Sequence, residues 1–249
     1  MSFLEVRNLT KKFGSLVAVS EISMAVEAGE LRAVIGPNGA GKTTFFNMIS
    51  GFFPPTTGAI MLAGENITQL PVSQRVARGM ARTFQITEIF PEITVRENVR
   101  IAVEVAEGLR LKLWCGAGER ARVERAVDAI LEQSDLAAVA GRLVGELSHG
   151  DQRAAEIAMA LALKPRLLLL DEPTAGMGEQ ETRHVAGLIR RLHRDSRFTI
   201  VLIEHDRRVV FNLADRITVL DQGRQLADGT PEQIAADPHV QAAYLGIAE

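Results

Sequence analysis

The chain has 249 residues, of which 47% are hydrophobic and 24% charged, an ordinary composition for a globular protein. Its 28 basic residues nearly balance 31 acidic ones, so the net charge of −3 excludes the basic field that binds nucleic acid. The single cysteine, Cys115, excludes a disulfide within the chain, and no apolar run approaches the length of a membrane span. We therefore expect one large domain, working in the reducing cytoplasm without a signal peptide.

The first part of the chain contains segments of alternating and continuous apolar character. Alternation at residues 3–6 and 22–26 predicts half-exposed antiparallel strands, and the continuous run Leu31–Ile35 predicts a strand buried on both faces. A glycine-rich turn then precedes a helix predicted from about Lys42 to Ser50. Residues 58–63 predict a further strand.

Helical spacing dominates the middle of the chain, from about residue 94 to residue 163. One helix is predicted over 119–132, with one apolar face made of Val123, Val127, Ile130 and Leu131. Before it, residues 108–118 are irregular and carry Leu109, Leu111, Leu113 and Trp114. These apolar residues either face a partner or, as we favour, tuck the loop onto the helices.

After Pro165, strands and helices alternate again. The pattern predicts strands at 166–170 and 198–203, helices at 179–194 and from Asp206, a hairpin of 216–220 with 225–227, and a helix over 231–245. Alternating strands and helices are typical of an α/β fold, in which helices cover both faces of a mostly parallel sheet.

Residues 36–43 read GPNGAGKT and match the phosphate-binding pattern G-x-x-x-x-G-K-[ST], here called the phosphate loop. Glycines let several backbone N–H groups point at one anion, and the following helix adds the positive end of its dipole. Lys42 should reach the β- and γ-phosphates, and the Thr43 hydroxyl should bind Mg²⁺. The residues expected to bind nucleotide here are Asn38, Gly39, Ala40, Gly41, Lys42, Thr43 and Thr44.

A second constellation follows the apolar run Leu167–Leu170, which ends in Asp171 and Glu172. The carboxyl edge of parallel strands is where open α/β sheets bind ligands. Asp171 is expected to hold Mg²⁺, and Glu172 to orient and deprotonate the attacking water. An acid after an apolar strand is weak evidence alone, and it becomes strong beside a phosphate loop.

Five further features, in a fixed order, carry a family resemblance. Residues 147–152, LSHGDQ, resemble the LSGGQ signature of ABC ATPases. Gln85 in RTFQ is similar to their Q-loop glutamine, and residues 173–177 to their D-loop. His205 is similar to the switch histidine, and Phe13 to the aromatic residue that stacks on adenine. The resemblance covers essentially the whole chain.

The resemblance implies one ABC ATPase domain spanning residues 1–249. Its P-loop NTPase (RecA-like) parallel-sheet core would comprise 1–86 and 164–249, with an N-terminal antiparallel β subdomain. A helical signature subdomain would be inserted at about 87–163.

The resemblance also implies that two such domains pair head to tail around two ATP molecules. Ser148 and Gly150 would then contact the γ-phosphate bound by the other subunit. The implied catalytic residues are Glu172, His205 and Gln85, and the implied Mg²⁺ site comprises Thr43, Gln85 and Asp171. ATP and Mg²⁺ are the implied substrate and cofactor.

Three positions depart from the family pattern. His149 replaces one glycine of the signature, the first, Asp151 replaces its glutamine, and Gly178 stands where the D-loop commonly has an aspartate. Ser148 and Gly150 are kept, so an active site is still expected, whereas any contact of Asp151 is in doubt.

The sequences GDQR, RTFQ and AGM and the tail from Gly229 to Gly246 are similar to the branched-chain, or hydrophobic, amino acid uptake family. This implies an importer of amino acids, amides or urea that contains a homologous second ATPase subunit, although a homodimer is possible. Two membrane permease subunits and, indirectly, a periplasmic binding protein complete it. The chain would be peripheral on the inner face of the membrane, with residues 86–95 in the groove that receives the permease.

Other interpretations remain open. A lipopolysaccharide exporter ATPase has similar length and a similar tail, but usually a fuller glycine signature. A soluble ABC ATPase of DNA repair or translation would carry long insertions or two cassettes. A small-molecule kinase with a phosphate loop would leave the signature and His205 unexplained.

Overall fold

The computed structural model describes residues 2–83, 89–109, 116–195 and 198–242. An N-terminal antiparallel sheet has the strand order β2-β1-β4-β5. Its strands are β1 (Leu4–Phe13), β2 (Leu16–Val26), β4 (Thr57–Leu62) and β5 (Glu65–Asn66). The first two are longer than predicted, because Asn8 (φ 46°) and Glu21 (φ 54°) lie where the β1–β2 register shifts and the apolar alternation is interrupted.

The central sheet has the order β10-β9-β3-β8-β7-β6. Its strands are β3 (Leu31–Ile35), β6 (Met80–Arg82), β7 (Leu167–Asp171), β8 (Thr199–Ile203), β9 (Arg216–Asp221) and β10 (Arg224–Gly229). Strands β6, β7, β8, β3 and β9 run parallel, and β10 pairs antiparallel with β9. Gln222 (φ 45°) and Gly223 (φ 78°) form the turn of the predicted hairpin, as a type I′ turn requires. The predicted α/β fold with its parallel core is confirmed.

Helices cover both faces of the central sheet. They are α1 (Lys42–Ser50), α2 (Val72–Val76), α3 (Val95–Ala106), α4 (Ala117–Gln133), α5 (His149–Ala162), α6 (Glu179–Arg194), α7 (Arg207–Leu213), α8 (Pro231–Ala236) and α9 (Pro238–Val240). Alternate residues of the parallel strands pack into two different hydrophobic clusters, one on each side of the sheet. Helix α1 lies in the cluster shared by the two sheets, whereas α3 to α7 pack in the other cluster.

Buried Arg75 fixes the C-terminal end of α1. Its guanidinium donates to the carbonyl oxygens of Met48 (2.7 Å) and Ile49 (2.5 Å), and also to Leu70 (2.8 Å) and Thr68 (3.0 Å). A cation at a helix C-terminus compensates the helix dipole and the unpaired carbonyls. Burial lowers the pKa of Arg75 to about 10. The helix that follows the phosphate loop is therefore anchored at its far end.

Helices α3, α4 and α5 lie in the chain between β6 and β7 and pack on one another. The apolar face predicted for α4 is buried at Val123, Val127 and Leu131, and Ile130 packs partly against the same cluster. Leu109 is buried, which supports a loop tucked onto the helices. Leu111, Leu113 and Trp114 lie outside the described residues.

The prediction of one continuous helix over 231–245 is wrong, because α8 and α9 are two separate helices. Asp237 adopts an extended conformation (φ −74°, ψ 117°) between α8 and α9, because the residue before Pro238 is disfavoured in the helical region. Residues 243–249 lie outside the described residues. Within the described ranges, no helix is both long enough and apolar enough to span a membrane.

Candidate active site

The phosphate loop connects the buried strand β3 to α1. Gly41 precedes α1 with φ 93°, and in the part of the chain that the structure describes no side chain caps the helix. A Cβ at Gly36 would lie 2.1 Å from the Leu220 carbonyl oxygen, and one at Gly41 would lie 2.7 Å from that of Ala18. The loop therefore requires glycine at both positions, and a glycine N-cap has no side chain to accept from the first N–H groups of α1.

The Lys42 side chain is buried and folded back over the loop. Its ammonium donates to the carbonyl oxygens of Gly36 (2.8 Å) and Pro37 (2.9 Å). Burial lowers the pKa of Lys42, while the charges of Glu172 and Asp171 act in the opposite direction. The structure thus brings the loop lysine within electrostatic reach of both predicted carboxylates. Of the other predicted phosphate ligands, Ala40 is buried, Thr44 is half-buried, and Asn38, Gly39 and Thr43 are exposed.

Asp171 ends β7 as a buried carboxylate. Its Oδ2 accepts a hydrogen bond from the guanidinium of Arg82 at 2.6 Å, across the neighbouring strand β6. Its Oδ1 is buried and has no hydrogen-bond partner within the described part of the chain. A carboxylate oxygen held in this way is a suitable hard ligand for Mg²⁺ or for a water bound to it.

Glu172 and His205 meet at the ends of the adjacent strands β7 and β8. Glu172 has the positive φ of 47°, and its N–H donates to the Ile203 carbonyl oxygen at 2.9 Å. Its Oε1 lies 2.8 Å from Nε2 of His205, with 15% of the Glu172 side chain and 39% of the His205 side chain exposed. The two predicted catalytic residues therefore form one hydrogen-bonded pair that solvent can reach.

Glu204 anchors the loops around this pair, and sequence reasoning missed it. The residue is 2% exposed, and its carboxylate accepts hydrogen bonds from the backbone N–H groups of Thr174 (2.9 Å) and His205 (2.8 Å). It also accepts from the Thr174 hydroxyl. Its position directly before His205 was the only available signal. Glu204 joins the predicted D-loop to the turn that carries the histidine.

A second missed element joins α5 to the same turn. Buried Arg153 donates to the carbonyl oxygens of Glu172 and Pro173, at 3.2 Å each. It also pairs with buried Glu156, one helical turn further along α5. The helix that begins at the signature is thereby tied to the backbone that positions Glu172.

The signature forms the N-terminus of α5. Ser148 is the N-cap: its Oγ accepts from the Asp151 N–H (3.2 Å) and donates to Asp151 Oδ2 (3.0 Å). Asp151, which departs from the family pattern, thus makes a direct contact with Ser148. The Gly150 N–H points at Oε1 of Glu181 on α6, 3.5 Å away. Within this chain, Ser148 and Gly150 are engaged by the molecule's own carboxylates.

Phe13 ends β1, and the facing strand β2 brings the Ala18 carbonyl against the phosphate loop at Gly41. The ring is 47% exposed and meets Phe53 edge-on, with centroids 5.6 Å apart. The ammonium of Lys11 lies 5.1 Å from the Phe13 centroid and 4.7 Å from that of Phe53. An exposed aromatic face of this kind can stack on a base.

Comparison with known proteins agrees with these features. Residues 19–175 match the ABC transporter family. The chain belongs to the ABC transporter ATP-binding family. Residues 224–249 of this ABC ATPase also match a family described as branched-chain amino acid ATP-binding cassette transporter.

Curated relatives align with this ABC ATPase over nearly its whole length. The high-affinity branched-chain amino acid transport ATP-binding protein BraF of Pseudomonas aeruginosa is 43% identical, covering 98% of each chain. The similarly named LivG of Escherichia coli strain K12 is 42% identical over 98% of each chain. The lipopolysaccharide export system ATP-binding protein LptB of Haemophilus influenzae is 35% identical, over 99% of this chain and 98% of LptB.

Solved structures show the same fold. An ATP-binding cassette of an ABC transporter, MJ1267 in its ADP conformation, superposes with a TM-score of 0.85 at 30% identity, covering 99% of each chain. A nucleotide-free ATP-binding cassette from an ABC transporter superposes with a TM-score of 0.84 at 29% identity over all of both chains.

The fold of this ABC ATPase gathers the phosphate loop, Asp171, Glu172 and His205 at the carboxyl edge of the central sheet. Ser148 and Gly150 lie instead at the start of α5, where they contact Asp151 and Glu181. Gln85, predicted as a catalytic and Mg²⁺-binding residue, lies outside the described residues.

Proposed function

We propose that this chain binds and hydrolyses ATP to power import of branched-chain or related amino acids, or of amides or urea, by an ABC transporter. The identity of 43% to BraF along 98% of the chain carries this proposal. The match of residues 224–249 to the branched-chain family supports it independently of the ATP site. LptB is less similar, at 35% identity, which favours import over lipopolysaccharide export.

ATP would bind across the phosphate loop. The N–H groups between Asn38 and Thr44 face the phosphates, and the Lys42 ammonium leaves its two carbonyl acceptors to pair with them. Phosphate oxygens are stronger acceptors for a cation than neutral carbonyl oxygens, so the exchange is favourable. The exposed ring of Phe13 would stack on adenine.

Mg²⁺ would be held by Thr43, Asp171 and Gln85 together with the phosphates. The buried Oδ1 of Asp171, with no partner among the described residues, fits this assignment. When bound, the ion would neutralise charge on the β- and γ-phosphates. The remaining steps of hydrolysis would be carried out by the protein's own side chains.

Hydrolysis would begin with Glu172 as general base for the attacking water. Its hydrogen bond to His205 sets the orientation of the carboxylate, and the Glu204 contacts hold the turn that carries His205. On ATP binding, His205 would donate to the γ-phosphate while Glu172 takes the water proton. The Arg153 bonds to the Glu172 and Pro173 carbonyls keep this backbone in place.

A second ATPase subunit, homologous to this chain or a copy of it, would complete each site. Ser148 and Gly150 would approach the γ-phosphate bound by that subunit, with the α5 N-terminus behind them. The chain would act at the inner face of the membrane, on two permease subunits and indirectly on a periplasmic binding protein.

Two surfaces would contact the permease. One is an apolar groove between α2, α3 and α5, lined by Phe52, Val72, Ile101, Val105, Met159 and Leu163. The other is the half-exposed ring of Phe90, whose backbone N–H and carbonyl are both bound by buried Asn98. Phe90 is thereby held outward, and a photo-cross-linker there should label a permease subunit.

The test is ATP hydrolysis by the chain alone and after reconstitution with its permease and binding protein, with Glu172→Gln as the paired variant. Activity should rise in the complex when leucine is present. Glu172→Gln should still bind ATP but lose about 10²- to 10⁴-fold in turnover, because the base is removed.

Vesicle uptake of radiolabelled leucine, urea and a short-chain amide identifies the solute class. If no permease changed the rate of ATP hydrolysis, the assignment of the ATP site would stand, but the transport role would be contradicted. Normal turnover by Glu172→Gln would contradict the assignment of the base.

A further inference from the structure

Arg82 places a cation directly against the carboxylate expected to hold Mg²⁺. Its side chain is 8% exposed, and the Asp171 side chain is 3% exposed, so both charges of the pair are removed from water. Its guanidinium meets Oδ2 of Asp171 at 2.6 Å. Desolvated ion pairs persist only where geometry and further hydrogen bonds compensate the loss of hydration.

Those further hydrogen bonds come from α1, the helix of the phosphate loop. The same guanidinium donates to Oδ1 of Asn47 and to Oγ of Ser50, at 2.7 Å each. It also lies over the rings of Phe46 (5.7 Å) and Phe52 (5.5 Å). Arg82 therefore joins α1 to the end of β7 with several fixed contacts, and a planar fork is suited to this task.

The two carboxylate oxygens of Asp171 have different surroundings. Arg82 occupies Oδ2, whereas the buried Oδ1 has no hydrogen-bond partner among the described residues. A carboxylate restrained through one oxygen presents the other in a fixed direction. Partners behind a metal ligand orient it in this way and alter metal affinity by about 10- to 100-fold.

We propose that Arg82 is a positioning residue for the Mg²⁺–ATP site, fixing Asp171 through Oδ2 so that Oδ1 is directed to the metal. The proposal rests on the proposed function of the chain as an ATPase. It assigns to Arg82 no contact with ATP. Arg82 acts through its contacts with Asp171 and with the two polar residues of α1, Asn47 and Ser50.

The experiment measures binding of a fluorescent ATP analogue to the full chain with Mg²⁺ and with EDTA. The ratio of the two dissociation constants is the gain in affinity due to the metal. Arg82→Met should reduce that gain by about tenfold or more while leaving binding in EDTA near the wild-type value. Arg82→Lys, which keeps the charge but loses the fork, should recover part of the gain.

A purely electrostatic role gives the opposite result. If Arg82 only compensated the charge of Asp171, its removal would weaken binding in EDTA and increase the gain due to Mg²⁺. An unchanged or increased gain in Arg82→Met overturns the proposal. Failure of the wild-type chain to bind ATP at all would instead contradict the proposed function.

Two further variants separate positioning from loss of the fold. Ser50→Ala removes one acceptor of the guanidinium and leaves Arg82 in place, so a smaller reduction in the Mg²⁺ gain is expected. Arg78→Met removes a surface arginine paired with Glu65 at 2.8 Å and should change nothing. Thermal melting verifies that each variant is folded. A full Mg²⁺ gain in folded Ser50→Ala and Arg82→Met would exclude the positioning role.

Discussion

Two helices of this protein begin at segments expected to bind phosphate, and their N-termini differ. At α1, the N-cap is Gly41, and within the described residues no side-chain cap hydrogen bond is formed. At α5, the N-cap Ser148 accepts from the Asp151 N–H, and Glu181 faces the Gly150 N–H. Among the described residues, the first terminus has no side-chain cap, whereas the second is contacted by the carboxylates of Asp151 and Glu181.

Under the proposed function, the difference distinguishes an anion site that is already formed from one that must exchange partners. Phosphate can bind the first turn of α1 without displacing a side-chain cap. Phosphate at α5 has to replace the Ser148–Asp151 bond and approach two carboxylates. An anion is stabilised at either helix N-terminus, but at α5 that stabilisation is already partly supplied within the chain. ATP should therefore bind first at α1 and engage α5 only on dimer closure.

The largest effect on ATP binding is expected at the α1 site. Lys42→Met removes the ammonium but keeps a buried apolar stem, so ATP binding should weaken by about 10- to 100-fold through loss of charge-assisted hydrogen bonds. Burial lowers the pKa of Lys42, which means that its charged form is disfavoured in the fold. The free energy of unfolding of the nucleotide-free protein should therefore not decrease in Lys42→Met. Calorimetric titration with ATP and thermal melting measure both quantities. Wild-type affinity in this variant would contradict the order of binding proposed above.

A second prediction tests why the residue before α1 has to be glycine. Gly41→Ala should lower the free energy of unfolding by about 2 kcal/mol, because φ is 93° and the new Cβ would lie 2.7 Å from the Ala18 oxygen. Gly64→Ala is the control, with φ 84° and no atom within 4 Å of the added Cβ. Urea unfolding should show a smaller loss for Gly64→Ala. Equal losses would mean that the contact with Ala18 has no energetic role.

A third prediction concerns the cap of α5. Ser148→Ala should lower the free energy of unfolding by about 1 kcal/mol and reduce ATP turnover, yet leave ATP binding by the monomer unchanged. Thr94→Ala is a matched control, because Thr94 caps α3 with an equal distance of 3.2 Å to the Glu97 N–H. It should lose similar stability and keep full turnover. If the monomeric Ser148→Ala variant bound ATP more weakly than the wild type, the N-termini of α1 and α5 would both contribute to the same ATP site within one chain, which would contradict the prediction.

The smallest effect is expected at Glu181. Glu181→Gln removes a charge near the α5 N-terminus, so ATP-dependent dimerisation should tighten by about two- to fivefold. Sedimentation in the Glu172→Gln background measures it. Glu119→Gln is the control, because Glu119 accepts from the Gly116 N–H at 3.2 Å just as Glu181 accepts from Gly178 at 3.2 Å. Equal dimerisation of both variants would show that Glu181 does not compete with phosphate.

Much of the fold follows from local sequence signals. The limits predicted for β3, α1 and α6 agree with the structure, because continuous apolar runs, glycine at both ends of α1 and helical spacing are local features. The lengths of β1 and β2 could not be predicted in this way. Their register shifts depend on how the two strands pair with each other.

The candidate site likewise contains residues that local sequence predicts and residues that it does not. The roles of Lys42, Asp171, Glu172 and His205 can be predicted from motifs. The roles of Arg82, Glu204 and Arg153 depend on contacts that no motif predicts. Arg82 pairs with a residue 89 positions away, and Glu204 with one 30 positions away. Spacing along a chain carries no information about such partners.

The sequence by itself determined that a glycine loop precedes a helix, that two acids follow a buried strand, and that a signature motif begins another helix. Only the tertiary structure decided which charges face each other. It pairs Arg82 with Asp171, turns Glu181 towards the signature and, within the described ranges, leaves the start of α1 without a side-chain cap. The physical reason is desolvation: whether a charge needs a partner depends on its burial, and burial is a property of the packed chain.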